Sequence, residues 1–506
     1  MFRLSHGLLN RNRLVPAFVG LASVFAAELE EARSQCEVDI AQVLPDDGAS
    51  SDEAGYCVAV DGDLLAVGAR GDDDNGSGSG SAYVVRRTDS GWIEEQKLLA
   101  SDGAPDDQFG SSLAVSGDAV VVGAFGHGDG GAAYVFRFNG SQWAQEQRLL
   151  ASDGSAGDSF GYSVAVSGNV ALIGAYGVDD NGASSGSAYV FRFDGTEWAE
   201  EQKLLAADGA AYDFFGVSVA LSGGVAVVGA YLDDDQGASS GSAYVFRFNG
   251  SRWTEEQKLV AADGAADDRF GGSVSVSGDV IVVGAVQDDD NGPNSGSAYA
   301  YGFNGSTWAE EEKLLPADGS ANDKFGVSVA VSGDTVLAGA YMHDANEIND
   351  SGSAYVFRAD GSSWPEVDKL LAPDGWYWDY FGFSVAASDN VLVAGAVQDD
   401  NNGNNSGSAY IFETLCAARD CVTASECTDS DPCTADVCSD GLCVHAPAPD
   451  FDGSGRVDLI DFELFQSCMT APTGGASQPA CLCSDLNADG PIDLGDFAVF
   501  QSAFSG

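Results

Sequence analysis

The chain has 506 residues, of which 78 are Asp or Glu and 22 are Lys or Arg, so its formal net charge at pH 7 is −56. A field of that sign repels polyanions, which excludes nucleic acid and anionic lipid surfaces as direct partners. Hydrophobic residues make up 44% of the sequence, which is enough for a packed core. Beyond the N-terminus, no segment is long and apolar enough to predict membrane insertion.

The N-terminus has the pattern of an export signal. Arg3, Arg11 and Arg13 precede an apolar stretch from Leu14 to Ala27, and small residues end it. The stretch is shorter than a transmembrane helix requires. We therefore expect residues 1–27 to be a signal peptide and the mature protein to be secreted. Eleven cysteines fit the oxidising environment that secretion implies.

One phrase recurs seven times along the chain. A glycine, usually after Phe, opens an alternating Val- and Ala-rich strand, a Ser-Gly turn and a second strand that ends in Gly-Ala. Third and fourth strands follow, such as "GSAYVFRF" and "AEEQKLLA". The opening glycines lie 51–56 residues apart, at Gly55, Gly110, Gly161, Gly216, Gly271, Gly326 and Gly382.

Four strands in about 50 residues is the size of a β-propeller blade. We therefore expect a mainly β fold, a seven-bladed β-propeller over residues 37–415. A solenoid is less favoured, because solenoid repeats are typically about 20–45 residues long and need capping ends.

The ends of the repeat array indicate how the ring closes. The seventh repeat has only three strands, and "VDIAQVLPDDG" (Val38 to Gly48) aligns with the fourth strand of the other repeats. We expect this N-terminal strand to complete the last blade, because a closed ring leaves no unpaired edge. The alignment also places Cys36 and Cys416 where the missing turn would lie. A Cys36–Cys416 disulfide would replace that turn, and pairing of these cysteines elsewhere is the alternative.

The Phe-Gly start and the Gly-Ala close resemble FG-GAP repeats, the units of the integrin α-subunit propeller and of many bacterial surface proteins. Integrin-type repeats carry a calcium loop between the first two strands. Here that connection is only "SGD", "SGN" or "SGG". The resemblance therefore does not carry the calcium site of the family over to these positions.

Acidic residues cluster in two other connections. One set lies between strands two and three, as in "DDDNG" (Asp72 to Gly76), and the other joins strand four to the next blade, as in "ADGAADDRF" (Ala262 to Phe270). In a four-stranded meander both connections leave on the same side, so we expect one acidic face. Its aspartates either bind further calcium ions or remain solvated.

Aromatic residues interrupt this face in "GWYWDYFG", which contributes Trp376, Tyr377, Trp378 and Tyr380. Rings beside carboxylates suit stacking on sugars, and a local packing variant is the alternative. We expect the ligand of the acidic face to be a protein or a glycan. Six other tryptophans open fourth strands at regular intervals, which indicates packing between blades: Trp92, Trp143, Trp198, Trp253, Trp308 and Trp364.

A cysteine-rich segment follows the repeats. Six cysteines lie from Cys416 to Cys443 among few apolar residues, so cross-links are needed to hold it together. Cys-x-x-Cys pairs are missing and His445 is the one nearby histidine, which argues against a zinc site. We expect residues 416–446 to be a disulfide-rich spacer.

Two twelve-residue segments of the tail have the spacing of calcium-binding loops. Oxygen ligands stand at positions 1, 3, 5, 7, 9 and 12, with the position 7 ligand a backbone carbonyl and Gly455 or Gly490 at position 6. Calcium takes six to eight such oxygens, so we expect two Ca²⁺ ions. The ligands are Asp450, Asp452, Ser454, the Arg456 carbonyl, Asp458 and Asp461 in the first loop, and Asp485, Asn487, Asp489, the Pro491 carbonyl, Asp493 and Asp496 in the second.

An amphipathic helix is predicted after each loop, in "FELFQSCM" and "FAVFQSAF". Two loop–helix units without an entering helix resemble a type I dockerin, a small α domain, over residues 449–506. The resemblance implies a cohesin-type module as partner, and attachment to a cell surface or scaffold. Loop positions 10 and 11 hold Leu459-Ile460 and Leu494-Gly495 instead of small hydroxyl residues, which leaves the cohesin class open.

Signals for catalysis are weak. None of the four histidines stands near a repeated Ser or Cys in the pattern of a triad. We therefore predict no catalytic and no cofactor-binding residues, and a non-catalytic binding or adhesion propeller anchored through the dockerin-like tail. Because paired carboxylates are abundant, the alternative is a dockerin-borne polysaccharide-degrading enzyme, a glycoside hydrolase or lyase.

Overall fold

Seven four-stranded antiparallel sheets follow one another along the first part of the chain. The structure is a computed structural model that describes residues 38–414, except Asp129, and the backbone of residues 434–439 and 442–447. Val38–Glu413 form one compact unit. This unit confirms the predicted seven-bladed β-propeller.

Blades one to six each use four consecutive strands. In chain order the strands are β1 (Val38–Val43); β2 (Ala54–Asp61), β3 (Leu64–Ala69), β4 (Ser81–Thr88) and β5 (Gly91–Leu98) in blade one; β6 (Ser112–Ser116), β7 (Ala119–Ala124), β8 (Ala132–Phe138) and β9 (Trp143–Leu149) in blade two; β10 (Ser163–Ser167), β11 (Val170–Ala175), β12 (Ser187–Phe193) and β13 (Trp198–Leu204) in blade three; β14 (Ser218–Ser222), β15 (Val225–Ala230), β16 (Ser242–Phe248) and β17 (Trp253–Leu259) in blade four; β18 (Phe270–Ser277), β19 (Val280–Ala285), β20 (Ser297–Phe303) and β21 (Trp308–Leu314) in blade five; β22 (Val329–Ser332), β23 (Thr335–Ala340), β24 (Ser353–Arg358) and β25 (Glu366–Leu370) in blade six; and β26 (Phe381–Ser388), β27 (Val391–Ala396) and β28 (Ser408–Thr414) in blade seven. A short 3-10 helix, Ala345–Glu347, lies between β23 and β24.

The N-terminal strand completes blade seven, as predicted. The strand order in this sheet is β1-β28-β27-β26, so β1 takes the outer position that the fourth strand has in every other blade. The first strands of successive blades contact one another, and β26 contacts β2. The first strands therefore surround the axis of a closed ring.

Burial explains the residue choice in each strand. Every residue of β3, β7, β11, β15, β23 and β27 is buried, because neighbouring blades cover both faces of the second strand. The outer strands alternate, as in β5, because one of their faces meets solvent. The core consists of seven apolar clusters that lie between adjacent blades.

The Phe-Gly and Gly-Ala pairs form the seams between blades. Phe109 is fully buried and makes a parallel bridge to Gly80 of the preceding blade. Gly110 has φ +88°, and a Cβ there would lie 2.1 Å from the Ser81 carbonyl oxygen. A Cβ on Gly68 would lie 2.0 Å from the Gly110 carbonyl oxygen. Only glycine allows these backbones to approach so closely.

The short Ser-Gly turns between the first and second strands also link neighbouring blades, at the end of the strands away from the Phe-Gly pairs. The Gly168 amide donates to Ser116 Oγ at 3.1 Å, and the Gly223 amide donates to Ser167 Oγ at 3.2 Å. Equivalent bonds recur around the ring, with Asp61 as the acceptor for the Gly117 amide at 2.7 Å, and the ring closes where the Gly62 amide donates to Ser388 Oγ at 3.0 Å. These turns are thus used for contacts between blades.

The regularly spaced tryptophans pack between blades, as predicted. Trp198 is 3% exposed, its amide donates to Gln147 Oε1 at 2.8 Å, and Gln147 Nε2 donates to its carbonyl at 2.7 Å. Its indole Nε1 donates to Glu146 of the same preceding blade at 3.0 Å.

A separate antiparallel hairpin lies outside the propeller unit. It pairs β29 (Thr434–Ser439) with β30 (Leu442–Pro447) and places Cys438 opposite Cys443 in the backbone register. Within the described ranges, no helix has the length and apolar character needed to cross a bilayer.

Candidate functional site

Both acidic connections lie on one face, as the sequence predicted. The Tyr212 amide of the loop into blade four donates to the Ala183 carbonyl of the loop between β11 and β12 at 2.8 Å, and the Phe215 amide donates to the Ser185 carbonyl at 3.0 Å. Equivalent bonds recur at other seams. We call the side that carries these two loop sets the acidic face.

A lysine lies at the centre of the aspartates in several blades. In blade five, Lys313 Nζ lies 2.8 Å from Asp263, 2.8 Å from Asp288 and 2.6 Å from Asp290. The Tyr299 hydroxyl donates to Asp263 at 2.9 Å. Partial burial raises the pKa of Asp263, but the hydrogen bonds from Lys313 and Tyr299 outweigh it, so the pKa lies below its ordinary value.

The same arrangement recurs around the ring. Each cation lies on the fourth strand opposite a fully buried tyrosine of the third, and it pairs with an aspartate of the preceding inter-blade loop. The cations are Lys97, Arg148, Lys203, Lys258, Lys313 and Lys369. An ammonium or guanidinium group therefore occupies the position in which a bound cation would neutralise these carboxylates. Calcium binding by the "DDDNG" loops stays a prediction, and a calcium ion there would have to compete with the lysine or arginine side chain.

Blade seven lacks that cation. Gln42 takes the position of the lysine, and its Nε2 donates to the Tyr410 hydroxyl at 2.7 Å and to Asp399 at 3.2 Å. The Tyr410 hydroxyl lies within hydrogen-bond distance of two carboxylates, 2.6 Å from Asp374 Oδ1 and 2.7 Å from Asp399 Oδ2. Burial and then the charges of Asp399, Asp400 and Asp374 raise the pKa of neighbouring Asp379 to about 6.

A pocket of about 360 Å³ opens on the acidic face at blade six. Asp323, Asp344 and Asp350 are among its lining residues, together with His343, and the buried Asp323 carboxylate accepts from the Ser320 amide at 2.7 Å. Burial and then the charges of Asp344 and Asp318 raise the pKa of Asp323 to about 6. Burial and then Lys369 lower the pKa of His343. The site is therefore anionic at neutral pH.

Three exposed aromatic side chains stand beside this pocket. Trp376, Tyr377 and Trp378 are 63%, 42% and 56% exposed. Their rings contact one another, with centroids 5.2 Å apart for Trp376 and Tyr377 and 6.0 Å apart for Tyr377 and Trp378. The Trp378 amide donates to the carbonyl of the pocket residue Asn349 at 3.1 Å. Tyr380, predicted to join this group, packs instead against Tyr341 at 5.3 Å.

The polar pairs of the propeller do not form an accessible triad among the described residues. Ser353 Oγ lies 3.1 Å from His343 Nδ1, but Ser353 is fully buried and cannot meet a substrate. His127 Nδ1 lies 2.8 Å from Asp107, and its Nε2 lies 3.8 Å from Asp102. Both histidines therefore belong to the ion-pair clusters of their blades.

The other predicted features lie outside the described residues. These are the signal peptide, the Cys36–Cys416 disulfide, most of the cysteine-rich spacer and all twelve tail ligands. Sequence reasoning overlooked the lysine clusters, although the signal was present in the recurring "QKL" of the fourth strands.

The family comparison agrees with this geometry. The model of the FG-GAP repeat family matches seven segments that together make up more than half of the chain: residues 38–85, 92–136, 143–191, 198–246, 253–301, 308–357 and 364–412. The chain belongs to the FG-GAP repeat family. A comparison with curated proteins gives no match.

The FG-GAP segments do not coincide with the blades. The first matched segment begins with β1 and ends in β4, so each FG-GAP unit runs from the fourth strand of one blade to the third strand of the next. Each unit therefore spans one seam, and its Phe-Gly pair, or Ala54-Gly55 in the first unit, lies at that seam.

Proposed function

We propose that this FG-GAP protein is a secreted, non-catalytic binding or adhesion propeller that takes a protein or glycan ligand on its acidic face. The observation that carries the proposal is the exposure of Trp376, Tyr377 and Trp378 together at the edge of the blade-six pocket. Clustered exposed aromatic side chains are unusual on a soluble surface, and they are typical of binding sites.

The chemistry of the surroundings narrows the ligand. Asp323, Asp344 and Asp350 next to aromatic rings suit the hydroxyl groups and apolar ring faces of a sugar, or the cationic side chains of a protein. The net charge of −56 excludes nucleic acid and anionic membranes. At the blade-six pocket, a neutral glycan or a basic protein segment therefore fits best.

The propeller is proposed to be anchored through its tail. The spacing of the two loops that begin at Asp450 and Asp485 supports a calcium-loaded dockerin-like domain and a cohesin-type partner. The N-terminal pattern supports export, and the cell surface or an extracellular scaffold is the proposed location.

One observation favours the alternative, a polysaccharide-degrading enzyme. Asp323 has a pKa of about 6 and shares its pocket with Asp344 and Asp350, a combination that glycosidases use for a general acid and its partner carboxylate. Release of reducing ends from a panel of polysaccharides, lost in Asp323→Asn, would establish this alternative.

A glycan array and a panel of basic peptides, probed with the full chain, test the proposed binding function. We expect a ligand whose affinity falls about tenfold or more in the double variant Trp376→Ala/Trp378→Ala, since two stacking platforms are lost. Ile93→Ala, which removes another exposed apolar side chain at a distant blade edge, is the matched control. Equal binding by both variants would remove this surface from the proposal.

A further inference from the structure

Aromatic side chains form an arc around the propeller axis where it meets the acidic face. They stand next to the Phe-Gly and Gly-Ala pairs, at the ends of the strands that surround the axis. The ring centroids of Phe125 and Tyr162 are 5.3 Å apart, and those of Tyr162 and Tyr176 are 4.7 Å apart. The axial arc comprises Tyr56, Phe125, Tyr162, Tyr176, Phe214, Tyr231, Tyr341, Tyr380 and Phe383.

The tyrosine hydroxyls of the arc are free. All six tyrosines are partly buried, and within the described residues none of their hydroxyls forms a hydrogen bond or is fully enclosed. The fully buried tyrosines of the third strands differ, since Tyr189 and Tyr244 donate to aspartates at 2.9 Å. Burial and neighbouring phenols raise the pKa of Tyr162, so its hydroxyl stays protonated at neutral pH.

Two cations interrupt the arc at blades five and six, and a third, Arg70 of blade one, lies 3.7 Å from the ring centroid of Tyr56 and pairs with Glu53 at 2.6 Å. Arg269 and Lys324 precede the Phe of the Phe-Gly pair, where blades four and seven place Phe214 and Tyr380. The Arg269 guanidinium lies 5.7 Å from the ring centroid of Tyr231, and its buried Nε has no hydrogen-bond partner.

Neither cation has a counterion within the described residues. Lys324 Nζ donates to the amide oxygen of Asn294 at 3.0 Å, and no carboxylate lies within ion-pair distance of Lys324 or Arg269. Burial and the positive charge of Arg269 lower the pKa of Lys324. These two cations repel each other, and among the described residues neither forms an ion pair, although the chain has 78 acidic residues.

The arc also lacks a side chain beside these cations. Gly272 follows the Phe-Gly pair of blade five, the position that holds Tyr162 in blade three and Phe383 in blade seven. A Cβ at Gly272 would meet only the Arg269 carbonyl at 3.4 Å and Tyr231 Cβ at 3.9 Å. The space that a ring fills elsewhere is therefore left open next to Arg269.

We propose that the axial arc binds the uronic-acid end of a glycan, with the sugar carboxylate held by Arg269 and Lys324 and the sugar ring packed against the tyrosines. A carboxylate satisfies the buried Nε of Arg269 and relieves the repulsion between the two cations. Free tyrosine hydroxyls supply donors and acceptors for sugar hydroxyls, and the ring faces supply stacking.

The acidic surroundings restrict the ligand to a short or sparsely charged acid. Asp289 acts electrostatically on Lys324, and the lysine-paired aspartates lie on the same acidic face, so these carboxylates repel a ligand that carries many negative charges. At physiological salt this repulsion is screened over about 8 Å, so a ligand with a single carboxylate can still reach Arg269. The site rests on the proposed glycan-binding function but is separate from the blade-six surface, because it uses none of the three exposed aromatic residues there.

Calorimetric titration of the full chain with digalacturonate, and with its neutral dimethyl ester, tests the proposal. We expect saturable binding of the acid and a loss of roughly 10- to 100-fold for the ester, because the ester keeps the shape and removes the charge. Arg269→Gln and Lys324→Gln should each weaken binding of the acid by about tenfold or more. Arg252→Gln, a cation on the opposite face, is the matched control and should bind as the unmodified protein does.

Gly272→Tyr provides a second variant with an intact charge set. It places in blade five the residue that blade three has at Tyr162, so we expect a folded propeller with a blocked site.

Equal affinity for acid and ester, no saturable heat with the acid, or equal losses in Arg252→Gln and Arg269→Gln would each overturn the proposal. Binding of a short peptide through its terminal carboxylate, with digalacturonate inert, would overturn the assignment to a saccharide. Trp376→Ala/Trp378→Ala should leave the binding of digalacturonate unchanged, which separates this site from the blade-six surface.

Discussion

Gln42 occupies the position at which the other six blades place a lysine or an arginine. In those blades the cation neutralises carboxylates that are partly removed from water, as Lys313 does for Asp288, which is 4% exposed. Among the described residues, Asp374 and Asp399 of blade seven meet only neutral side-chain partners, namely Gln42, Asn401, Ser408 and Tyr410. Uncompensated charge in a partly buried site lowers stability, so this blade is electrostatically the weakest of the ring.

Gln42→Lys should stabilise the propeller. The new ammonium group would meet Asp374 and Asp399 in the geometry that blade five already uses, and we expect the free energy of unfolding to rise by about 1 kcal/mol. Urea denaturation measures the change. Ile40→Lys adds the same charge on the same strand at an exposed position, so an equal gain in both variants would show that only the net charge matters.

Asp379 predicts a pH dependence of stability that originates in blade seven. Its folded pKa of about 6 is above its ordinary value of 3.8, so the folded state holds the proton more tightly than the unfolded chain. The stabilisation from this group is therefore fully present below about pH 4 and is lost as the pH rises through about 6. Asp379→Asn should flatten the difference in melting temperature between pH 4 and pH 7.

Asp360→Asn is the control with the opposite sign. Hydrogen bonds from the amides and hydroxyls of Ser362 and Ser363 lower the pKa of Asp360 to about 2. Its contribution is present above about pH 4 and is lost as the pH falls towards 2. If both variants change the pH profile in the same direction, the assignment of the dependence to Asp379 is wrong.

At the scale of strands and seams, the repeat pattern was a strong guide. Alternating Val and Ala residues, the Gly-Ala ends and the missing fourth strand of repeat seven were enough to predict all seven blades and the position of β1. The contacts between blades could not be predicted in this way, because residues such as Gly80 and Phe109 are joined by a parallel bridge across a long connection.

Gly110→Ala and Gly117→Ala should separate the two reasons for glycine at the seams. Both residues have positive φ, +88° and +59°, but a Cβ at Gly117 meets nothing within 4 Å. We expect Gly117→Ala to cost about 1–2 kcal/mol, the penalty of the left-handed backbone. Gly110→Ala should cost about 4 kcal/mol or more, since the seam must also open by the width of a methyl group. Similar losses in thermal unfolding would show that close packing at the seam is unimportant.

The candidate sites were harder to predict than the strands. The aromatic run from Trp376 to Trp378 was visible because its members are adjacent in sequence. Residues of the axial arc such as Tyr56 and Phe383 lie in different blades, and their contact follows only from closure of the ring. The lysine clusters join three separate loops and strands, so the same acidic segments suggested calcium sites when considered alone.

Across the whole molecule, the negative charge has two different environments. On the propeller, lysines and loop amides already bind many aspartates, as Lys258 binds Asp208, Asp233 and Asp235. In the tail, the two predicted loops gather carboxylates with no lysine and a single arginine nearby. Added calcium should therefore be taken up by the tail in preference to the propeller.

Calcium binding by the full chain tests this distribution of charge. The tail segment is too short to fold well without a staple or a metal, and its carboxylates repel one another until a divalent cation binds. A thousandfold excess of calcium over its Kd would stabilise the folded tail by roughly 4 kcal/mol.

Calorimetric titration should show two bound calcium ions, and Asp450→Ala/Asp485→Ala should abolish the binding of both. The same double variant should lose calcium-dependent capture by a cohesin module. Asp46→Ala/Asp89→Ala removes the same charge from exposed loops of the propeller and should leave both ions bound. Undiminished calcium uptake in the tail variant would move the metal sites to the acidic face and contradict the dockerin-like assignment.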